Sequence, residues 1–238
     1  MNAPASFAVI LPVYNEEDII ESCIERIAAF LDAQQLAAPI ITVNDGSQDQ
    51  TATILEQLKA KYSRLHVATH TANAGYGQAC RTGILEAAKM GVDYALVMDG
   101  DGTQDPIYIA SFFPAMQEGY DFIKATRYAK GGKTVGVPWG RYLPSYFGNK
   151  LARLILRLPI TDYTNGFRAI RTRYADQITT RERGFSMLIE EVVSAKRCGC
   201  RFTEVPYTLT VRTGDSRSKF VYSWKVYYSY LKHLFGMN

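Results

Sequence analysis

Two aspartates one residue apart, Asp99 and Asp101, stand in the segment LVMDGDGTQDP (96–106), where the apolar run YALVM ends. In extended backbone, residues two apart project to the same side. Both carboxylates can therefore meet at one point, with Gly100 leaving room between them. Two like charges held together need a cation, and oxygen ligands suit Mg2+ or Mn2+, which would in turn hold a diphosphate. Asp-Gly-Asp-Gly on its own reads equally as a surface turn, because both residue types favour turns. Arrival directly after a buried strand favours the metal, since ligands collect beyond the carboxyl ends of parallel strands.

Two other segments would reach the same edge. NDGSQDQT (44–51) reads as a turn and helix start, or as a place where Asp45 accepts hydrogen bonds from a nucleobase or ribose. NAGYGQA (73–79) lacks both the Walker lysine and GxGxxG. Gly75 and Gly77 read there as a tight turn before a helix, with backbone amides that could touch a nucleotide.

The elements that must position these residues follow from periodicity. FAVILPV (7–13), PIITV (39–43), LHVAT (65–69), YALVM (94–98) and FIKAT (122–126) are short apolar or β-branched runs. Helical patterns lie between them, near 16–35, 49–61, 77–90 and 106–118. Strand–helix alternation with continuously apolar strands predicts a mostly parallel sheet covered on both faces. Asn15 reads as an N-cap ahead of Glu16, Glu17 and Asp18. Asp105 reads as another, with Pro106 at the first helical position, and Pro114 should end or kink that helix. Beyond Arg127 come a glycine-rich basic loop and a helix over about 140–157. A strand at GFRAI (166–170), a helix over 186–198 and the extended stretch FTEVPYTLTV (202–211) complete the expectation of one α/β domain.

Charge narrows the class of partner. The 238-residue chain carries only +4 overall, yet between Arg127 and Arg173 ten Lys/Arg face a single acid, Asp162. Such asymmetry calls for an anionic partner: nucleic acid, lipid headgroup or phosphorylated substrate. No nucleic-acid recognition motif accompanies it. Four cysteines without CxxC spacing read as reduced thiols. No signal peptide and no apolar run near the ~18–20 residues of a spanning helix are read, so a cytoplasmic protein is expected. The aromatic tail FVYSWKVYYSYLKHLF (220–235) reads as a helix that either rests in a membrane interface or packs on the domain.

LPVYNEE, VNDGSQDQT, NAGYGQA, MDGDGTQDP, TRYAKGG, DYTNGFRAIR, GFSMLIEE and EVPYTL occur in this order. Together they resemble the family 2 glycosyltransferases, in particular the dolichol-phosphate mannose synthase and polyprenyl-phosphate glycosyltransferase branch. The resemblance runs from about residue 7 to 220. It implies a GT-A, Rossmann-like fold, with a donor half over about 7–126 and an acceptor-side half over about 127–219. A C-terminal amphipathic helix over 220–238 would follow. It also implies a GDP- or UDP-linked sugar donor, Mg2+ or Mn2+, and inverting transfer of a hexose to a polyprenyl phosphate at the cytoplasmic face of a membrane. A small membrane-protein partner is compatible with that setting.

By position, Pro12, Tyr14, Glu16 and Asp45 would line the nucleotide, and Asp99 and Asp101 would hold metal and diphosphate. Arg127 and Arg141 would meet phosphate groups. Arg168, in the matching GFR, would join them at the acceptor phosphate, and Glu190 matches the glutamate of the glycine-aromatic segment. Three departures stand out. Gly-Thr-Gln follows Asp101 where many members have Leu-Gln-His, so Thr103 or Gln104 would complete the metal shell. Leu188 replaces a common glutamine. The late basic motif appears as RTGDSRSK (212–219), which favours Lys219 as its lysine.

A phosphate monoester has a second pKa near ~6, so the implied acceptor is largely dianionic at neutral pH and needs no side-chain base. His66, His70 and His233 lie outside the motifs and read as ordinary residues. A hydroxyl acceptor would instead need a base, for which Glu190 is the candidate. A non-catalytic nucleotide-binding subunit of a membrane complex is the remaining alternative, against which Asp99 and Asp101 argue.

Overall fold

The computed structural model describes residues 5–210 and 224–235. Strand β1 (Phe7–Val13) leads through a turn into helix α1 (Ile20–Ala33), followed by β2 (Ile40–Asn44), α2 (Thr51–Lys61), β3 (Leu65–Thr69), α3 (Tyr76–Lys89) and β4 (Tyr94–Val97). A 3-10 helix over Pro106–Phe112 and the short α4 (Phe113–Gln117) precede β5 (Phe122–Thr126). Then come β6 (Lys133–Thr134), α5 (Trp139–Leu156), β7 (Arg168–Arg171), α6 (Met187–Arg197), β8 (Phe202–Pro206), β9 (Thr208–Leu209) and α7 (Trp224–Phe235).

Among the described residues, seven strands form one sheet in the order β3-β2-β1-β4-β7-β5-β8. All neighbours are parallel except β7, which runs antiparallel to both β4 and β5. Its register sets Arg168 between Val97 and Lys124. The second half of the chain therefore contributes β5, β7 and β8 to the central sheet. A separate parallel pair, β6 with β9, ties the basic loop to the end of β8.

Period-2 alternation divides the core between the two faces. Phe7, Val9, Leu11 and Val13 of β1 join one cluster with Ile24, Ile27 and Leu31 of α1 and with Phe112. Ala8 and Ile10 join the other, with Cys80 and Ile84 of α3 and Val192 of α6. Burial on both faces is what lets these strands be apolar without interruption. Gly83 lets α3 close on β1: a Cβ there would stand 2.3 Å from Cγ2 of Ile10.

Two expected caps meet different outcomes. Asp105 accepts a hydrogen bond from Ile107 N, with Pro106 at the first position, but the turn it opens is 3-10 before α4 takes over. Pro114 sits in the first turn of α4 and does not end a helix. Asn15 is not an N-cap. It adopts a left-handed φ of 51°, and α1 starts at Ile20. The side chain of Asn15 crosses instead to the β2–α2 loop, where its Oδ1 accepts from Gln48 N at 2.8 Å.

Candidate active site

The loops after β1, β2 and β4 converge beyond the carboxyl end of the sheet, and hydrogen bonds join the first two into one wall. Asn15 N donates to Ser47 Oγ at 3.0 Å, Glu16 N to Thr51 Oγ1 at 2.9 Å, and Gln50 N to Glu17 Oε2 at 2.7 Å. Pro12 is buried on β1, with Tyr14 half-buried and Glu16 buried at the start of the turn.

Asp45 sits beside this wall with its side chain turned inward. Its Oδ1 accepts from Ala74 N at 2.9 Å and meets His70 Nδ1 at 2.7 Å, while Oδ2 accepts from Gly75 N at 2.8 Å. Its residual exposure is 2%. In this structure the carboxylate thus fastens the NAGYGQA loop from behind. His70, read from sequence as ordinary, completes the clamp by reaching Thr82 Oγ1 at 3.0 Å through Nε2. It stands three residues ahead of NAGYGQA, but its partner Asp45 lies 25 positions earlier, which no local pattern shows. Gly75, with φ of 98°, and Gly77 permit close approach: a Cβ would stand 2.5 Å from Arg183 O at the first and 2.2 Å from Glu182 O at the second.

Asp99 and Asp101 follow β4, half-buried. Asp99 is held on three sides. Tyr76 Oη donates to Oδ1 at 2.8 Å, Gln104 Nε2 donates to Oδ2 at 2.6 Å, and the bare Cα of Gly166 closes the third. A Cβ on Gly166 would lie 2.5 and 2.6 Å from the two carboxylate oxygens. Burial, and next the charge of Asp101, push the Asp99 carboxyl up to about 6. The charge of Asp101 thus reaches Asp99, as expected of neighbouring carboxylates. Thr103 Oγ1 and N both donate to Asp101 Oδ1, at 2.7 and 3.1 Å.

Gln104 is not placed as a metal ligand. Its Oε1 accepts from Asp99 N at 3.0 Å while its amide nitrogen faces the carboxylate. Both ends of the group are committed to orienting Asp99, and residual exposure is 3%.

The Asp162–Arg168 segment supplies a second layer. Arg127 forms a two-pronged ion pair with Asp162, Nε to Oδ2 at 2.7 Å and Nη2 to Oδ1 at 2.9 Å, and Nη2 also reaches Thr164 Oγ1 at 3.1 Å. Burial weakens a guanidinium's charge, but the adjoining Asp162 outweighs it and keeps Arg127 firmly cationic. Burial works against the Asp162 carboxylate too, and Arg127 more than offsets that, holding it below the usual range. From α5, Asn149 Nδ2 donates to Thr164 Oγ1 at 3.0 Å.

Arg168 does not face an acceptor. It is fully buried, with Nη2 bonded to Glu191 Oε1 at 2.8 Å, Nε paired to the other carboxylate oxygen, and Nη1 on Gly166 O at 2.7 Å. Its role is to hold Gly166 in place beneath Asp99. Lys124, unremarked in the apolar run FIKAT, is also fully buried and donates to Asn165 O. Burial, and next the charge of Arg168, bring it down to about 7. Asn165 anchors the turn further: its Nδ2 donates to Ala125 O at 2.8 Å, and its Oδ1 accepts from Tyr207 Oη at 3.0 Å.

Glu190 stands apart from this group. Its Oε2 accepts from Arg181 N and Glu182 N at 2.9 and 2.8 Å, so it caps a loop and is not poised as a base. The backbone of Arg141 lies in the first turn of α5. Lys219 lies outside the described residues.

A two-sided, mostly parallel sheet with paired carboxylates at its carboxyl edge defines a GT-A type of nucleotide-sugar scaffold. Residues 8–179 match the model of glycosyl transferase family 2, and the chain belongs to that family. It is 32% identical over 233 residues to a dolichol-phosphate mannosyltransferase of Pyrococcus furiosus, which covers 97% of this chain but 63% of that protein. The chain therefore spans somewhat less than two thirds of that relative's length. Identity to a polyprenol monophosphomannose synthase of Mycolicibacterium smegmatis is 31% over 211 residues, 86% of this chain and 77% of that one. In fold, the chain is similar to glucosyl-3-phosphoglycerate synthase of Mycobacterium tuberculosis, solved with Mn2+, uridine-diphosphate-glucose and phosphoglyceric acid. The TM-score is 0.68 at 21% identity, covering 97% of this chain and 80% of that one.

Proposed function

We propose that this chain is a divalent-metal-dependent, inverting glycosyltransferase that moves a hexose, mannose or glucose, from a GDP- or UDP-linked donor to a polyprenyl phosphate. The observation that carries the reading is the placing of two acids, Asp99 and Asp101, just beyond the carboxyl end of β4, with Asp99 raised first by burial and next by the charge of Asp101. The names of the two mannosyl-transferring relatives support the substrate class. The Mn2+ and nucleotide sugar bound by the mycobacterial synthase support the donor class.

The donor set fits Mg2+ or Mn2+. Among the described residues no three His, Cys, Asp or Glu cluster as a complete metal cage. Two carboxylates completed by diphosphate oxygens and water are the usual Mg2+ arrangement. When bound, such a cation would supply charge stabilisation to the departing nucleoside diphosphate.

The chain's own residues divide the remaining tasks. Gln104, Tyr76 and Gly166 fix the direction of Asp99, and Thr103 fixes Asp101. The wall carrying Pro12, Tyr14 and Glu16, with the loop fastened by Asp45, would receive the nucleoside. Arg127, fixed in its pair with Asp162, would orient the acceptor phosphate by hydrogen bonding, with Arg141 and Lys219 assigned the charge that offsets repulsion between acceptor and donor. Orientation of two anions in line is where most of the rate would arise. A phosphate acceptor needs no general base, in keeping with a Glu190 carboxylate already engaged by two backbone amides.

The test is transfer from a panel of nucleotide sugars to a detergent-dispersed polyprenyl phosphate, with and without Mn2+. Asp101→Ala should abolish metal-dependent transfer while leaving the fold intact. Undiminished transfer by that variant would remove the metal assignment. Failure of the wild type to bind any nucleoside diphosphate would remove the enzyme.

A further inference from the structure

The loop ahead of α6, residues 181–186, touches the donor side of the site at three points. Arg183 grips the NAGYGQA loop twice: its backbone oxygen accepts from Gly77 N at 3.0 Å, and its Nε donates to Ala74 O at 3.0 Å. The Phe185 ring stacks on Tyr76, with centroids 4.7 Å apart and planes 28° from parallel. Tyr76 is the residue whose hydroxyl donates to Asp99. Asp45 holds the amides of Ala74 and Gly75 from one side, and the 181–186 loop closes on the same segment from the other. Gly75 and Gly77 make that closure tight, since a Cβ at either would collide with the Arg183 or Glu182 carbonyl.

A short irregular segment opens easily unless it is tied down. Two of its ties are local. Glu190 accepts from the Arg181 and Glu182 amides, and Ser186 Oγ donates to Glu182 Oε2 at 3.0 Å. The third comes from 51 positions further along the chain, where His233 of α7 places Nε2 2.9 Å from Glu182 Oε1. An ionised carboxylate only accepts, so the imidazole carries a proton on Nε2. Burial raises the Glu182 carboxyl, but the hydrogen bonds from His233 and Ser186 more than offset that and hold it below the usual range. His233 is itself well supported. Its neighbour Leu234 is buried in the cluster that includes Cys80 and Val192, and α7 packs against both α6 and α5.

We propose that His233 and Glu182 form a positioning pair for the donor side of the site. Through it, α7 holds the 181–186 loop against Ala74–Gly77 and, by way of Phe185 and Tyr76, sets the direction of Asp99. The pair acts through these residues and is not itself catalytic. Grip on the donor therefore depends on a helix at the far end of the chain. The inference deepens the nucleotide-sugar reading and rests on it for the effect on binding, whereas the hold on the loop is read out without any nucleotide.

The experiment compares the purified full chain with His233→Ala, Glu182→Ala and His233→Gln, the last of which keeps a side-chain N–H donor. Hydrogen exchange is followed at the Gly77 amide, and binding of GDP and of UDP, each with Mn2+, is measured by calorimetry. Both alanine variants should exchange Gly77 several-fold faster and bind nucleotide roughly tenfold more weakly, the worth of about one hydrogen bond to a carboxylate. The double variant His233→Ala/Glu182→Ala should be no weaker than either single one, because the two share one interaction. His233→Gln should recover most of both losses. Wild-type exchange at Gly77 in His233→Ala would overturn the proposal, as would a His233→Gln no better than His233→Ala. Loss of amide protection across β1 in the alanine variants would make the pair a general prop of the fold and equally overturn it. If the wild type binds neither GDP nor UDP while Gly77 exchange still answers to His233, the pair stands and the nucleotide-sugar reading falls.

Discussion

Gly166→Ala isolates the placement of Asp99 from its chemistry. The backbone at Gly166 lies outside the left-handed region, so alanine meets no conformational penalty of its own. The added methyl would, however, stand 2.5 and 2.6 Å from the Asp99 oxygens and 2.7 Å from Tyr76 Oη. Ordinary carbon contacts begin near ~3.5 Å, so the carboxylate must retreat by roughly 1 Å. It cannot do so while keeping both Gln104 Nε2 and Tyr76 Oη as donors. A displacement of that size near reacting groups costs on the order of 100-fold in rate, or about 2.7 kcal/mol of barrier. The expected result is a kcat/KM about 100-fold lower, with weaker Mn2+ dependence of nucleotide binding by calorimetry. Thermal unfolding should remain a single cooperative transition. Gly166→Ala with wild-type turnover and wild-type metal affinity would refute the reasoning, because a carboxylate free to move that far needs no such support.

Other consequences are simpler to state. Asp162 has a folded pKa below the unfolded value, so the stability it contributes is fully present above pH ~4 and is lost as pH falls through the folded pKa. Asp162→Asn should therefore flatten the acid limb of a melting-temperature profile, and an unchanged limb would count against the pair. Asp45→Ala should raise KM for the donor by freeing the Ala74 and Gly75 amides. The unmet bonds cost about 1–3 kcal/mol, visible as faster hydrogen exchange at those two amides. Normal protection there would contradict the clamp.

Sequence periodicity located most strands and helices of the sheet because each is a local pattern of apolar residues. What it missed depends on partners remote in the chain. The antiparallel direction of β7 leaves no mark in GFRAI. Arg168 looked like a phosphate ligand because Glu191, its partner, lies 23 positions later. Asn15 has the composition of a cap, but Ser47 and Gln48 compete for it and win. Gln104 stood in the right place for a metal ligand, and only the positions of its two polar ends show that Asp99 uses both. The position of Asp99 and Asp101 just beyond β4 was legible, since a strand end is a local fact.

The reversed strand has a bearing on engineering. Because β7 is wedged between β4 and β5, the turn leading into it delivers Gly166 to the same rim that β4 reaches in the forward direction. Residues 7–126 therefore cannot be lifted out as a donor-binding module: the cut would expose the inner edges of β4 and β5 and strip Asp99 of its backing. A chimera meant to exchange acceptor preference would have to leave 162–171 with the recipient and graft only the segments outside it, such as α5.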